Sequence, residues 1–564
     1  MTDELFYFNG INAATGEPLL PPLSHRQIAK VARGETFEDS HLRELRQRWE
    51  KASKQSMGLV EGKDPKNLAE AGWGVIFAYE YKDSTGYTAE QLKAALSELL
   101  THRQQQATQK DGRYYKEYLG PNAYRPGESK QEFLNRHRIG PGPANPEKMP
   151  YYLLIVGDPE SIPYSFQYQL DVQRAVGRIY FETLEEYRQY AHHVVVAETE
   201  SLAIPKTISF FGPCHSNDKA SQLSSAHLLT PLSNQLQQEQ QTQEARQQWT
   251  IQTILGENAT KARLCELISG RETPALLFTA SHGAGFAKDD QLQLRHQGAL
   301  ICQDWSGRGP VDPNFYFSAD DVTDDMSLLG RIAFNFACYG AGTPKMDDFV
   351  QQSGLAIPEI APYAFVAELP RRLLSRGALA VIGHVDRAWG YSFVWGEKDN
   401  HEQLEVFQST LKRLMTGHPV GSAVEFFNER YAELSSDFND TKESHTFNDD
   451  FAISRLWAAN RDARNYSIIG DPAVRLPVTH HPTGDSKLEP EMIRLNLSDR
   501  AESNDPPQQT PAELTQRVKT LETEVKSLRE QVHRLQQQLD SHELAVKAIL
   551  GSSNSGNIRD ISEN

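Results

Sequence analysis

Apolar runs rich in β-branched and aromatic residues recur from residue 73 to residue 476, each closed by turn residues and followed by a polar or helical stretch. Runs of this kind predict strands, and their alternation with helical segments predicts a single α/β sheet. The clearest are Trp73–Tyr79, Tyr151–Val156, Thr207–Phe211, Trp249–Leu255, Ala275–Ala280, Arg331–Ala337, Ala378–Ile382 and Tyr466–Ile469. Four of them run into turns with chemical content: Val156 into Gly-Asp-Pro-Glu, Ala280 into Ser-His-Gly, Ala337 into Cys-Tyr-Gly and Ile469 into Gly-Asp-Pro. Open parallel sheets bind ligands at the carboxyl ends of their strands, so these four turns are the first candidates for a functional edge.

Between the strands, residues 101–149 are polar with several Gly and Pro and read as a long excursion, and the Gln/Glu-dense stretch 234–248 reads as a solvated helix face. The pattern divides the chain into an N-terminal α/β region (1–149), a main α/β domain (150–478), a flexible linker (479–508), a heptad helix (509–550) and a disordered tail (551–564). In the fourth segment the period changes. Leu514, Val518, Leu521, Val525, Leu528, Val532, Leu535 and Leu539 are spaced alternately four and three apart, the seam of a coiled coil. Valine at the a positions and leucine at d favour two parallel strands, and a partner would pair Arg517 with Glu522 and Glu524 with Arg529. A parallel homodimer, or recruitment of a partner, is therefore expected. The alternative is one amphipathic helix folding back on its own domain.

Composition narrows the class. The 564 residues carry a formal charge of −17, which disfavours general attraction to nucleic acid or anionic lipid, and no basic, aromatic-lined motif is present. No basic segment followed by an apolar stretch opens the sequence, and no 18 apolar residues run together, so a cytoplasmic protein with no membrane partner is expected. The four cysteines, Cys214, Cys265, Cys302 and Cys338, form neither a disulfide framework nor a CxxC pair.

Two residues stand out for reactivity. His282 follows an apolar strand and precedes Gly283, Ala284 and Gly285; Cys338 follows another and precedes Tyr339 and Gly340. If the two strands are neighbours, thiol and imidazole meet at one sheet edge. A free thiol is only a few per cent ionised at neutral pH, so a nucleophilic cysteine needs such a base, which can later protonate a leaving amine. Small residues let substrate and backbone N–H groups approach, and the N–H groups of the glycine-rich turns could hold an oxyanion. The other three cysteines lack this setting and read as structural.

Six segments, Leu154-Ile-Val-Gly-Asp-Pro-Glu-Ser-Ile-Pro163, Ala175-Val-Gly-Arg-Ile179, Phe278-Thr-Ala-Ser-His-Gly283, Asn335-Phe-Ala-Cys-Tyr-Gly340, Gly377-Ala-Leu-Ala-Val-Ile-Gly383 with Trp389, and Ile469-Gly-Asp-Pro-Ala473, occur in this order. In that order the chain resembles the gingipain-like cysteine peptidases of the caspase-like clan over about residues 150–476. The resemblance implies a caspase-like α/β/α sandwich with a mostly parallel sheet. It implies an endopeptidase with Cys338 as nucleophile, His282 as general base and acid, and backbone N–H groups of Gly283 and Cys338 as oxyanion hole; no metal or other cofactor is expected. Asp171 and Trp389 hold the positions that form an arginine-binding P1 pocket in arginine-specific members, which implies cleavage after basic residues. Read without the resemblance, Asp171 is a surface or capping aspartate and Trp389 a core aromatic. Glu160 falls in the segment that supplies an acid to orient the histidine in some members, whereas Asp158 is expected to fix its own turn. Cys-Tyr-Gly departs from the caspases' own signature, so aspartate specificity is not implied. The acidic loop Ser318-Ala-Asp-Asp-Val-Thr-Asp-Asp325 offers either calcium ligands or two helix caps, and lacks EF-hand spacing.

The rival to a peptidase is a catalytically inactive scaffold or regulator acting through the coiled coil, and a third reading is another Cys–His hydrolase or acyl transferase.

Overall fold

The computed structural model describes residues 58–477 except 81–85, 203, 244–247, 270–271, 348–357, 396–400 and 444–448, together with 5–6, 10–13, 16 and 23–24. The chain divides into two units, Met1–Thr483 and Gly484–Asn564. The expected coiled coil and tail fall in the second, outside the described residues, as does nearly all of the linker.

The first unit is built on a ten-stranded sheet. In chain order its strands are β1 (Trp73–Ile76), β2 (Tyr115–Tyr118), β3 (Tyr152–Val156), β4 (Ala175–Ile179) and β5 (Thr207–Gly212). They continue with β6 (Thr250–Leu255), β7 (Leu276–Ala280), β8 (Ile332–Phe336), β9 (Ala380–His384) and β10 (Tyr466–Gly470). All eight apolar runs read from the sequence are strands. Two further strands, β2 and β4, appear where the pattern was weaker. Tyr-Lys-Glu-Tyr of β2 is an edge strand whose two charged residues are only half-buried, which hides it in a polar stretch. Residues 101–149 are thus not a structureless excursion: they also hold most of the helix Ser97–Ala107 and the helix Lys130–Arg136.

The spatial order is β2-β1-β3-β4-β10-β9-β8-β7-β5-β6. Neighbours are parallel everywhere except at β9 and β10, which pair antiparallel with Ala380 opposite Gly470 and His384 opposite Tyr466. The sheet therefore consists of two five-stranded parallel blocks that run in opposite directions. This changes one expectation: the four loaded turns do not share an edge. β7 and β8 end at one edge, whereas β3 and β10 end at the other, because the chain reverses at the β9–β10 seam.

Central strands are buried on both faces, which is why they read as continuous apolar runs. Arg178 and Trp73 project from opposite faces by register. Helix α1 (Tyr164–Asp171) covers the Arg178 face, with Gln167 accepting from the guanidinium. On the other face Arg103, from the helix Ser97–Ala107, and Trp73 both donate to Asp471. Helices thus sit on both sides of the sheet. A small second sheet adjoins the β7 end, where Gly283–Gly285 pairs with Gly10–Asn12 in parallel and Gly283 with Leu300 antiparallel. None of the described helices is long and apolar enough to cross a membrane.

Candidate active site

The register of β7 on β8 fixes what meets at their carboxyl ends. Leu276 lies opposite Ile332 and Ala280 opposite Phe336 in a parallel pair, so His282 and Cys338 each stand two residues beyond the last paired position. Polar pairing continues between the strands: Thr279 Oγ1 donates to Asn335 Oδ1 (3.1 Å), and Ser281 N–H to the Phe336 carbonyl (3.2 Å). The backbones then come closer than two ordinary residues permit. A Cβ on Gly283 would lie 1.8 Å from the Cys338 carbonyl oxygen, so the glycine after the histidine is a steric requirement of the juxtaposition. Tyr339, immediately after the cysteine, has φ +59°, a left-handed conformation costly for a non-glycine residue, and its N–H donates to the Asp386 carbonyl (2.9 Å). The chain reverses here and runs back along β9, with Ala341 N–H on the His384 carbonyl (2.8 Å).

The imidazole is held by a carboxylate that the sequence reading missed. His282 Nε2 lies 2.7 Å from Asp218 Oδ2. Asp218 is the N-cap of α2 (Lys219–Ser224) and also accepts from Ser221 N–H (2.8 Å). Burial pushes its carboxyl up, but His282 and the bonds from His282 and Ser221 outweigh that and hold it well below the usual carboxylate range. Asp218 follows β5, the neighbour of β7, so helix cap and histidine meet because two strand ends are adjacent. A cap signature before a helix was the available signal; nothing in sequence pointed it at His282. With Nε2 taken, Nδ1 is buried without a hydrogen-bond partner among the described residues. Trp305 walls the ring edge-on, its centroid 6.4 Å from that of His282, and His215 packs on the same indole at 5.1 Å.

Cys338 is 0% exposed and His282 1%. Sγ accepts the N–H of Ala388 (3.3 Å), from the loop after β9. Burial pushes the thiol up; the Ala388 N–H and Arg387 pull it down, while Asp386 and Asp462 push it up. Arg387 is locked beside it by a two-pronged pair with Asp347, Nη1 to Oδ1 at 2.9 Å and Nη2 to Oδ2 at 2.7 Å.

The remaining expected residues fall into two groups. Trp389 and Asp171 belong to this edge: Trp389 follows β9, the neighbour of β8, and Asp171 ends α1 just before β4 starts at the same side of the sheet. Along the edge the order is His282, Cys338, the Trp389 loop, the start of β10, then Asp171. Asp171 is 7% exposed, accepts Val176 N–H (2.8 Å), and is pushed well above the usual carboxylate value by burial. Trp389 is buried, with its N–H on Asp462 Oδ1 (2.8 Å). Glu160 does not reach the histidine. It follows β3, which ends at the opposite edge, and its Oε1 accepts from Ala364 N–H (2.7 Å). Asp158 takes Ser161 N–H and Oγ, both at 2.8 Å, as a turn-fixing aspartate does. In the acidic loop Asp321 caps Ser318, Asp320 pairs with Arg295 and His296, and Asp324 with Arg372 and Arg376, so helix capping and ion pairs account for these acids. No cluster of three or more metal-ligating side chains exists among the described residues.

No protein-family model and no curated protein matches the sequence. Among solved structures, the chain is similar to one described as "Structure of Protease", at 13% identity over 72% of this chain and 78% of that one, with a TM-score of 0.40. It is also similar to two structures of the Saccharomyces cerevisiae separase–securin complex, each at 9% identity and a TM-score of 0.28. These matches cover 57% and 60% of this chain but only 15% and 17% of the other. At those scores the likeness assigns no role to any residue, and roles rest on the geometry above.

Proposed function

We propose that the chain is a caspase-like cysteine endopeptidase using Cys338 and His282. The observation that carries the reading is the pairing of two strand ends that set thiol and imidazole at equivalent positions, with Asp218 on Nε2 and Nδ1 left without a partner. In this reading Nδ1 takes the Sγ proton as sulfur bonds to the scissile carbonyl carbon. The N–H groups of Gly283 and Cys338 hold the oxyanion. The imidazolium then gives its proton to the amine as the C–N bond breaks, and water, deprotonated by His282, hydrolyses the thioester.

Asp171 and Trp389 would form the P1 pocket. A buried carboxylate with a backbone N–H as partner and no paired cation among the described residues invites a substrate guanidinium, and an indole packs on its stem. Cleavage after arginine inside the cell, by a dimer joined through the heptads, completes the proposal. The test is a peptide-library cleavage assay on purified protein with Cys338→Ala as control: turnover after basic residues that vanishes in the variant is expected, and turnover that survives in it refutes the mechanism.

One observation favours a second reading, a non-catalytic scaffold: Cys338 is fully covered and its thiol is pushed up. Absence of any Cys338-dependent cleavage would leave that reading standing.

A further inference from the structure

Cys338 Sγ and Asp462 are served by two consecutive amides of one loop. Ala388 N–H points at the sulfur (3.3 Å) and Trp389 N–H at Asp462 Oδ1 (2.8 Å). Asp462 lies near the carboxyl end of α4 (Asp450–Arg464), the helix that leads into β10, and is itself 1% exposed. Its second oxygen accepts from Ser392 Oγ, which also bonds Tyr466 Oη (2.7 Å). From α3 (Glu425–Glu443) the guanidinium of Arg430 donates to the carbonyls of Tyr391 and Ser392. Three residues past Asp462, the Asn465 carbonyl accepts Val385 N–H (3.0 Å). Residues 385–392 are thus clamped from behind by α3 and by the end of α4.

Because φ and ψ are the backbone's soft dihedrals, fixing the amide of Trp389 restricts the direction of the amide before it. We propose that Asp462 is a positioning residue that aims the Ala388 N–H at Cys338 Sγ. This goes beyond the dyad and rests on Cys338 as nucleophile: a thiolate formed there would find a donor already in place, as an anion does at preorganised backbone amides. Asp462 acts through backbone and touches no reacting atom. Its charge works in the opposite sense, since a nearby carboxylate disfavours a thiolate; Arg387, Asp386 and Tyr339 also act on the sulfur, His282 ends the neighbouring strand, and His384 Nε2 lies 3.2 Å from Asp462 Oδ1. Position and charge therefore predict different outcomes for different substitutions.

The experiment reads the sulfur and not turnover, so it stands whether or not the chain proves to be a peptidase. Iodoacetamide labelling of Cys338 is followed by peptide mass spectrometry from pH 6 to 10 in the full-length protein, with thermal melts to verify folding. Asp462→Asn keeps an acceptor for Trp389 N–H and removes the charge, so its labelling midpoint should match or fall below that of the unsubstituted protein. Asp462→Leu keeps the branched shape, slightly enlarged, without an acceptor and should label about tenfold more slowly at pH 8, the cost of one charge-assisted hydrogen bond. Equal shifts in both variants, or faster labelling in Asp462→Leu, would overturn the proposal, the latter by showing that the clamp covers the thiol and does not tune it. If Asp462→Leu does not fold, Asp462→Ala takes its place: labelling slower than in Asp462→Asn supports the assignment, and labelling equal to or faster than in Asp462→Asn refutes it.

Discussion

The two blocks of the sheet use the same local device, a buried strand ending in a glycine-containing turn, for opposite ends. In the block β2-β1-β3-β4-β10 the polar residues of these turns are consumed by their own chain. Asp158 takes Ser161, Arg178 takes the carbonyls of Gly157 and Ile162 with Gln167, and Asp471 takes Trp73, Arg103 and the Ala473 N–H. In the block β9-β8-β7-β5-β6 the corresponding residues keep capacity in reserve: His282 has an unpartnered Nδ1, and Cys338 meets a backbone N–H at a distance normal for sulfur. A strand end with glycine and a polar residue is thus no evidence of chemistry by itself. What distinguishes the two cases is whether the polar atoms have valences left after folding.

The comparison breaks first, and most heavily, at the dyad. Cys338→Ala and His282→Ala should each lower kcat/KM by roughly four orders of magnitude or more, without adding in the double variant, because the pair acts as one unit. Melting temperature should change little. In the other block the signs reverse. Asp471→Asn takes one carboxylate from the buried Arg103 guanidinium, which keeps its two-pronged pair with Glu198, so stability should fall by about 1.5–3 kcal/mol, the worth of a hydrogen bond to a charged group. Turnover per folded molecule should stay as it was; a specific loss of turnover there would erase the distinction between the blocks. Asp171→Asn tests where the boundary falls, since α1 links the end of β3 to the start of β4. Loss of its charge should lower kcat/KM for arginine at P1 by about a hundredfold or more, with far less effect on uncharged P1 residues. A uniform loss would return Asp171 to the structural block.

Asp218→Asn should have a smaller effect, about tenfold in kcat/KM, because the histidine keeps a hydrogen-bond acceptor and loses only the charge that orients it. It also carries a pH signature. A carboxyl held below its usual value contributes stability above about pH 3.9, and that contribution is lost as pH falls through the lower folded value. The gap in melting temperature between Asp218→Asn and the unsubstituted protein should therefore be full near neutrality and close in acid.

The strands of both blocks were legible because burial on two faces forces continuous apolar runs. Their direction was not. A strand's sequence carries no mark of which way it runs, and the antiparallel β9–β10 junction is a property of chain path; this is why four turns expected at one edge divide between two. That His282 and Cys338 end neighbouring strands at one edge was legible because each closes an apolar run before a glycine-containing turn, and Gly283 must be glycine where it meets the Cys338 carbonyl. Asp218 was hidden for the opposite reason. Its local role as the cap of α2 explains it fully, and its second bond exists only because β5 lies beside β7. Asp462 is hidden in the same way, an aspartate in the last turn of α4 whose partners Trp389 and Ser392 lie 73 and 70 residues away.

Glu160→Gln is the smallest effect and the sharpest test of the edge assignment. By its place in the chain Glu160 is the acid expected to orient His282, and if it did so, removing its charge should cost at least what Asp218→Asn costs. The structure puts it past the carboxyl end of β3, at the far edge, with an exposed side chain that accepts one backbone N–H from Ala364. Glutamine retains a carbonyl oxygen for that bond. A hydrogen bond of this kind at an exposed site is worth at most about 1 kcal/mol, and exchanging one acceptor oxygen for another should cost a fraction of that. kcat/KM should stay within about twofold and its pH dependence should not move, since no titrating group of the dyad loses a neighbour. A tenfold loss with a displaced pH profile, matched by an unaffected Asp218→Asn, would exchange the two acids and place the β3 turn at the catalytic edge after all.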